Sequence, residues 1–230
     1  RAPRVARGGP AAALFSSGSD VARRYCGHLA TTAVSRGLIG PREVPRVWER
    51  HILNCAAVQE RIPAGATVVD VGSGAGLPGI ALAIARPDIR VRLVEPLQRR
   101  VSWLDEVVAD LGLSNVEVTR ARAEELRSTA DADVVTARAV AGLPVLAKLC
   151  LPLVRPGGRF VAVKGRSAQE ELEAAAADLI RLGAIAWEVR RCGVGILAEP
   201  TTVIEVTMGA EPENRTAGRG RGKRPSSRRR

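Results

Sequence analysis

Aromatic side chains are scarce in this chain of 230 residues, with Phe, Trp and Tyr together making up 3%. The interior must therefore be assembled from Val, Leu, Ile and Ala. No apolar run approaches the roughly 20 residues that a membrane span needs, and the N-terminus lacks the apolar segment of a secretory signal. A cytoplasmic protein without a membrane partner is expected. The four cysteines, Cys26, Cys55, Cys150 and Cys192, include no C-x-x-C pair, which argues against zinc ribbons and thioredoxin-like redox sites. They read as reduced thiols buried as small hydrophobes, and no metal is expected. No Gly-Lys-Ser/Thr follows the glycine-rich stretch, which excludes a P-loop.

What is present is aliphatic bulk, 46% hydrophobic residues, enough for one large domain with appendages. The net charge of +11 is unevenly placed. Between Asn214 and Arg230 stand eight basic residues and no acid; without them the charge falls to +3. Four segments are expected: a disordered leader at 1–13, a helical extension at 14–62, an α/β domain at 63–210 and a disordered basic tail at 211–230. In the extension, "SDVARRYCGHLATTAV" carries apolar residues at helical spacing, with Ser19 or Asp20 as its N-cap. "EVPRVWERHILNCAAVQERI" reads as a second helix with Pro45 in its first turn.

From Ala66 the pattern changes. "ATVVDVG" is a continuous apolar run, as expected for a strand buried on both faces. Further strands are read at "IRVRLVEP", "NVEVTRA", "ADVVTARA" and "RFVAVKG", separated by helical stretches. The last of these, "SAQEELEAAAADLIRLG", opens with a capping-box pattern, Ser167 to Glu170. "IAWEVRRC" and "TTVIEVTM" follow with no helix between them and read as an antiparallel edge. Seven strands, mostly parallel with right-handed crossovers, are predicted.

The first strand runs into "VVDVGSGAGLPG", with Gly72, Gly74, Gly76 and Gly79 within eight residues. A loop between a buried strand and a helix suits close approach of backbone to a ligand, because glycine permits positive φ and carries no Cβ. The helix start behind it offers free N–H groups. G-x-G-x-x-G by itself is a weak pattern. Asp70 discriminates: an acid two positions before the first glycine sits poorly beneath a pyrophosphate and suits a cationic ligand such as S-adenosyl-L-methionine. Glu95, ending the second strand 19 residues past Gly76, can accept from ribose hydroxyls of that cofactor or of a dinucleotide. Ala123 and Glu124, after the third strand, lie where an adenine can rest. An NAD-dependent oxidoreductase is the rival enzyme class, and a non-catalytic RNA-binding module on the same fold is a further alternative.

The stretches "RHILNC", "VVDVGSGAGLPGIALAIARPD", "VTARAVAGL" and "FVAVKG" resemble the bacterial 16S ribosomal RNA guanine-N7 methyltransferases, over about residues 20 to 208. The resemblance implies a class I S-adenosylmethionine-dependent methyltransferase fold, Rossmann-like, with an N-terminal helical extension. It implies S-adenosyl-L-methionine as donor and a guanine N7 in the decoding-region loop of 16S rRNA as acceptor, met as naked rRNA or in the 30S ribosomal subunit. Matched by motif, Gly72, Leu77, Ala123, Glu124 and Arg138 would contact the cofactor, with Gly74 and Glu95 beside them. Asn54-Cys55 departs from the family pattern, in which Asp-Ser is common. The leader and the basic tail lie outside that pattern.

Guanine N7 has a free lone pair and no proton, so no general base is expected. The sequence agrees by omission. It has neither the Asn/Asp-Pro-Pro-Tyr motif of exocyclic-amine methylation nor a Pro-Cys nucleophile for C5 methylation. Arg138, ending the fourth strand, is expected at the cofactor edge or on a phosphate. Lys164, ending the fifth, is expected on a phosphate or on guanine O6. His51 reads either as a substrate contact or as a structural histidine. Arg99 and Arg100 read as a solvated helix face or an RNA-facing patch, and the three tryptophans as packing. The tail at 214–230 is expected to contact nucleic acid through charge, with little sequence readout.

Overall fold

The computed structural model describes residues 9–129, 131–138 and 141–210. The expected tail and most of the expected leader lie outside them. Helix α1 (Pro10–Phe15) begins inside the stretch read as leader, and Ala11 is buried.

Seven strands form one sheet in the order β3-β2-β1-β4-β5-β7-β6. They are β1 (Thr67–Val71), β2 (Arg90–Val94), β3 (Val116–Thr119), β4 (Ala132–Arg138), β5 (Val154–Lys164), β6 (Ala184–Cys192) and β7 (Thr201–Met208). The first five are parallel; β7 runs antiparallel to both β5 and β6. This is the mixed sheet predicted, and the absence of a helix between β6 and β7 explains the reversal, since antiparallel neighbours need no crossover. β5 begins at Val154, so "RPGG" lies inside the strand, at a break in its register with β4.

Burial alternates along the central strands. Val68, Val134, Val161 and Val203 face one apolar cluster, while Val69, Val135, Phe160, Ala162 and Ile204 face the other. Two buried faces explain the unbroken apolar runs. On one face lie α7 (Leu143–Cys150) and α8 (Ala168–Arg181). On the other lie α5 (Gly79–Ala85) and α6 (Gln98–Leu111) together with the N-terminal extension. The β5–β7 side of that face has no crossover helix, and the extension covers it. Arg61 and Arg159 reach the buried Glu205 on β7, Arg61 at 2.6 and 3.0 Å. The Thr201 hydroxyl donates to the Asn54 carbonyl at 2.8 Å.

The extension is helical, in shorter pieces than its apolar spacing predicts. After α1 come α2 (Ser19–Ala30) and α3 (Thr32–Ser35). The expected second helix divides into a 3₁₀ segment (Pro41–Arg46), a π-helix (Val47–Leu53), α4 (Asn54–Ala57) and a last 3₁₀ turn (Val58–Arg61). Two N-cap readings are corrected. Neither Ser19 nor Asp20 caps α2; the Ser19 hydroxyl donates backward, toward the Ala11 and Ser16 carbonyls. The Ser167 hydroxyl bonds the Glu171 carboxylate at 3.1 Å and makes no backbone cap.

Candidate active site

The glycine loop leaves β1 at the carboxyl edge of the sheet. Gly72 and Ser73 donate to the Val94 carbonyl at 2.9 and 3.2 Å, which ties the loop to the end of β2. Gly72, Gly74 and Gly76 all have positive φ, of 69°, 57° and 81°. The glycines have different surroundings. A Cβ on Gly74 would meet nothing nearer than the Gly72 carbonyl oxygen at 3.8 Å, so the loop is open there. A Cβ on Gly79 would lie 2.3 Å from Leu93 Cδ2 and 2.8 Å from Asp70 Oδ2. Gly79 lets α5 pack on the sheet, whereas Gly74 leaves space for a ligand against bare backbone.

Asp70 lies beneath this loop. It is fully buried, and its carboxylate accepts from the Gly79 N–H and the Thr136 hydroxyl, both at 3.1 Å. The register brings this about, because Asp70 pairs with Thr136 across β1 and β4. Burial pushes its pKa up to about 6 against the pull of those donors. The side chain expected to face a cation therefore anchors the start of α5, and its charge acts on the site from below.

Glu95, also buried, follows β2. Its carboxylate accepts from the backbone N–H of Gly74 at 3.1 Å and of Leu97 at 3.0 Å, with Arg100 at 3.4 Å. Of the two arginines on that helix, Arg100 pairs with Glu95, and Arg99 is exposed. Leu77 is buried beside the loop; Ala123 is buried and Glu124 exposed at the start of the 3₁₀ segment after β3. The residues expected to hold a methyl donor thus converge on one edge: Gly72 to Leu77 from β1, Glu95 from β2, and Ala123 with Glu124 from β3. An open backbone cradle with carboxylates beneath and beside it fits S-adenosylmethionine, a cationic nucleoside.

The two basic residues expected to face substrate are otherwise engaged. The Lys164 ammonium, 8% exposed, bonds the Glu171 carboxylate at 2.7 Å and the Ala141 carbonyl at 2.9 Å. Glu171 also accepts from the Leu143 N–H at 3.1 Å, so the pair joins β5 to the starts of α7 and α8. Lys164 is thereby paired with Glu171 within the protein. Arg138 turns to the extension, where it bonds Cys55 Sγ at 2.9 Å and His51 Nδ1. His51 Nε2 in turn lies 2.9 Å from Glu43 Oε2. His51 is buried.

Several partners here were not legible in the sequence. Tyr25 on α2, fully buried, donates to the Ala75 carbonyl in the glycine loop at 2.6 Å. It is the chain's sole tyrosine, and a lone phenol on an apolar helix face is a signal that a buried acceptor awaits it. Glu43, Thr136 and Glu171 gave no such signal, because their pairing with His51, Asp70 and Lys164 is set by how the elements dock. All four cysteines are free and buried, as expected. Trp48 and Trp103 are buried as packing residues. Among the described residues no group of His, Cys, Asp and Glu suits a metal ion, and no helix is long and apolar enough to cross a membrane.

A family model described as rRNA small subunit methyltransferase G matches residues 19–197. Curated relatives of that name are similar over nearly the whole chain. The one from Pseudarthrobacter chlorophenolicus is 55% identical over 85% of this chain and 90% of its own. The one from Salinispora arenicola is 57% identical over 92% and 91%. Among solved structures, an O-methyltransferase family protein from Burkholderia thailandensis superposes with a TM-score of 0.56 at 13% identity, over 83% of this chain and 63% of that one. A SAM-dependent O-methyltransferase from Thermotoga maritima gives 0.51 at 20% identity, over 68% and 64%. These structural likenesses establish the fold.

Proposed function

Since the chain belongs to the family of rRNA small subunit methyltransferase G, we propose that it methylates N7 of one guanine in the decoding-region loop of 16S rRNA. S-adenosylmethionine is the donor. The observation that carries this reading is the family match, whose single stretch at 19–197 contains the glycine loop, Glu95, Arg138 and Lys164 together. When bound, S-adenosylmethionine supplies an electrophilic methyl group on a sulfonium.

The chain's own residues have three tasks. Gly72, Gly74 and Leu77 offer backbone and an apolar wall to the donor; Glu95, Ala123 and Glu124 border its nucleoside; Arg138 closes the edge toward β4. Orientation is the second task. Guanine N7 attacks with a lone pair that carries no proton, so the rate depends on alignment and exclusion of water, with no base to supply. Third, the site must tolerate a purine that becomes cationic on methylation. Neutralisation of Lys164 by Glu171 suits that requirement, because an unpaired ammonium at the end of β5 would oppose the product charge. The dinucleotide alternative lacks support from the relatives, and the buried Asp70 beneath the loop would repel a pyrophosphate.

The decisive experiment is methyl transfer from labelled S-adenosylmethionine to 30S subunits and to naked 16S rRNA, both from a strain lacking the enzyme. N7-sensitive strand cleavage then maps the site. Label at a single guanine N7 is expected. RNA binding without transfer to either acceptor would favour the non-catalytic alternative.

A further inference from the structure

The Glu43–His51–Arg138 chain joins the extension to the catalytic edge through atoms whose donor and acceptor roles follow from their chemistry. A guanidinium has donors only. Its bond to His51 Nδ1 therefore requires a lone pair on that nitrogen, which places the imidazole proton on Nε2. There the N–H points to Glu43 Oε2, 2.9 Å away, and the carboxylate accepts it. Each bond fixes the same tautomer. Cys55, four residues after His51, takes the other prong of Arg138 at 2.9 Å. One side of a single helical segment thus grips the guanidinium at two points.

That segment has unusual geometry. His51 lies in the π-helix Val47–Leu53, and Cys55 in α4 directly after it. π-Helical turns are rare and occur disproportionately at functional sites. Glu43 comes from the preceding 3₁₀ segment, so the two groups that hold Arg138 and the one that orients His51 all belong to the extension.

We infer, on the reading that Arg138 borders the methyl donor, that Glu43 and His51 are positioning residues that fix the Arg138 guanidinium, so that the N-terminal extension completes the cofactor site. The grip works only with neutral His51. Protonation would place an N–H at Nδ1 against the guanidinium, which removes one bond and sets two like charges in contact. The charged groups facing His51 are Glu43, Arg138 and Arg50. Burial and Arg138 lower its pKa, and Glu43 opposes them without prevailing. The neutral form is therefore held at neutral pH, and the grip fails on acidification.

The test is binding of S-adenosylhomocysteine to the full chain by titration calorimetry, across pH, with the tautomer of His51 read by ¹⁵N NMR. The chain has only two histidines, so H28Q isolates the signal of His51. Wild type is expected to show the neutral Nε2–H form and an affinity that falls toward acid pH. E43A and H51A should weaken binding about tenfold, the scale of one hydrogen bond to a charged group. E43Q, which keeps a carbonyl acceptor, should stay within about threefold of wild type on the same scale. H51Q can still accept from Arg138 but cannot be protonated, so its affinity should fall less steeply toward acid pH than that of wild type, leaving only the contribution of Asp70. An acid limb as steep in H51Q as in wild type overturns the inference even where H51A fails to fold. If E43A and H51A bind normally while R138A does not, the positioning role is wrong and the cofactor role of Arg138 stands. If R138A itself binds normally, both fall.

Discussion

The Tyr25 hydroxyl donates a 2.6 Å hydrogen bond to the Ala75 carbonyl, 50 residues away in the chain. One partner belongs to the first long helix of the extension, and the other is the centre of the glycine loop. The bond ties the extension to the glycine loop, complementing the grip of His51 and Cys55 on Arg138 at the neighbouring strand.

Tyr25→Phe leaves the shape of the helix intact but strands the Ala75 carbonyl. A buried acceptor without a donor costs about 1–3 kcal/mol. Thermal unfolding should shift down by the corresponding amount. The loss of S-adenosylhomocysteine affinity should exceed that of a core substitution of equal cost remote from the loop, such as Leu179→Ala in α8. Equal affinity losses in the two would mean that Tyr25 acts only through stability.

Gly74 and Gly79 should separate binding from folding. Gly79→Ala drives a methyl into Leu93 and Asp70, and overpacking of this kind costs roughly 1–3 kcal/mol or more. Gly74→Ala meets open space. It pays only for its left-handed backbone, about 1 kcal/mol, while placing a methyl on the ligand side of the loop. Urea unfolding should rank Gly79→Ala as the more destabilised, and calorimetry should rank Gly74→Ala as the weaker binder relative to its stability. The opposite ranking would mean that the ligand does not approach the loop at Gly74.

Asp70 gives the apoprotein a specific pH dependence. Its folded pKa, pushed up to about 6 by burial, exceeds the ordinary 3.8. Between these values the unfolded chain binds fewer protons than the folded one, so stability falls as pH rises through the window. The penalty is absent below about pH 4 and complete above about pH 6. Asp70→Asn cannot ionise, and its amide can serve both Gly79 and Thr136. Its stability relative to wild type should therefore increase from pH 4 to pH 7, by up to about 3 kcal/mol. Parallel denaturation curves at the two pH values would show that Asp70 ionises at its ordinary pKa.

The tail at 214–230 carries eight basic residues and lies outside the described residues. If it neutralises phosphates, each contact contributes to the salt dependence of RNA binding. Its deletion should weaken binding at low salt and flatten the plot of log affinity against log salt. An unchanged slope would assign RNA binding to the folded part alone.

The sequence by itself determined the sheet. Unbroken aliphatic runs require strands buried on both faces, and the spacing between them leaves room for crossover helices in all but the last connection. It also determined the loop, since glycine is the residue that supplies positive φ and open backbone. Where charges point was decided only by the tertiary structure. Asp70, Lys164 and Arg138 stand at the expected strand positions, yet each is answered by groups that other elements bring to it: Thr136 with Gly79, Glu171, and His51 with Cys55. A strand pattern fixes the level of a side chain along the sheet through local geometry alone. The partner that neutralises it is set by how helices dock, a long-range choice made by packing, and a short motif carries no record of that choice. The same holds for the broken helix of the extension, whose apolar spacing signalled a helix but not the π-helical turn that places His51 and Cys55 against Arg138.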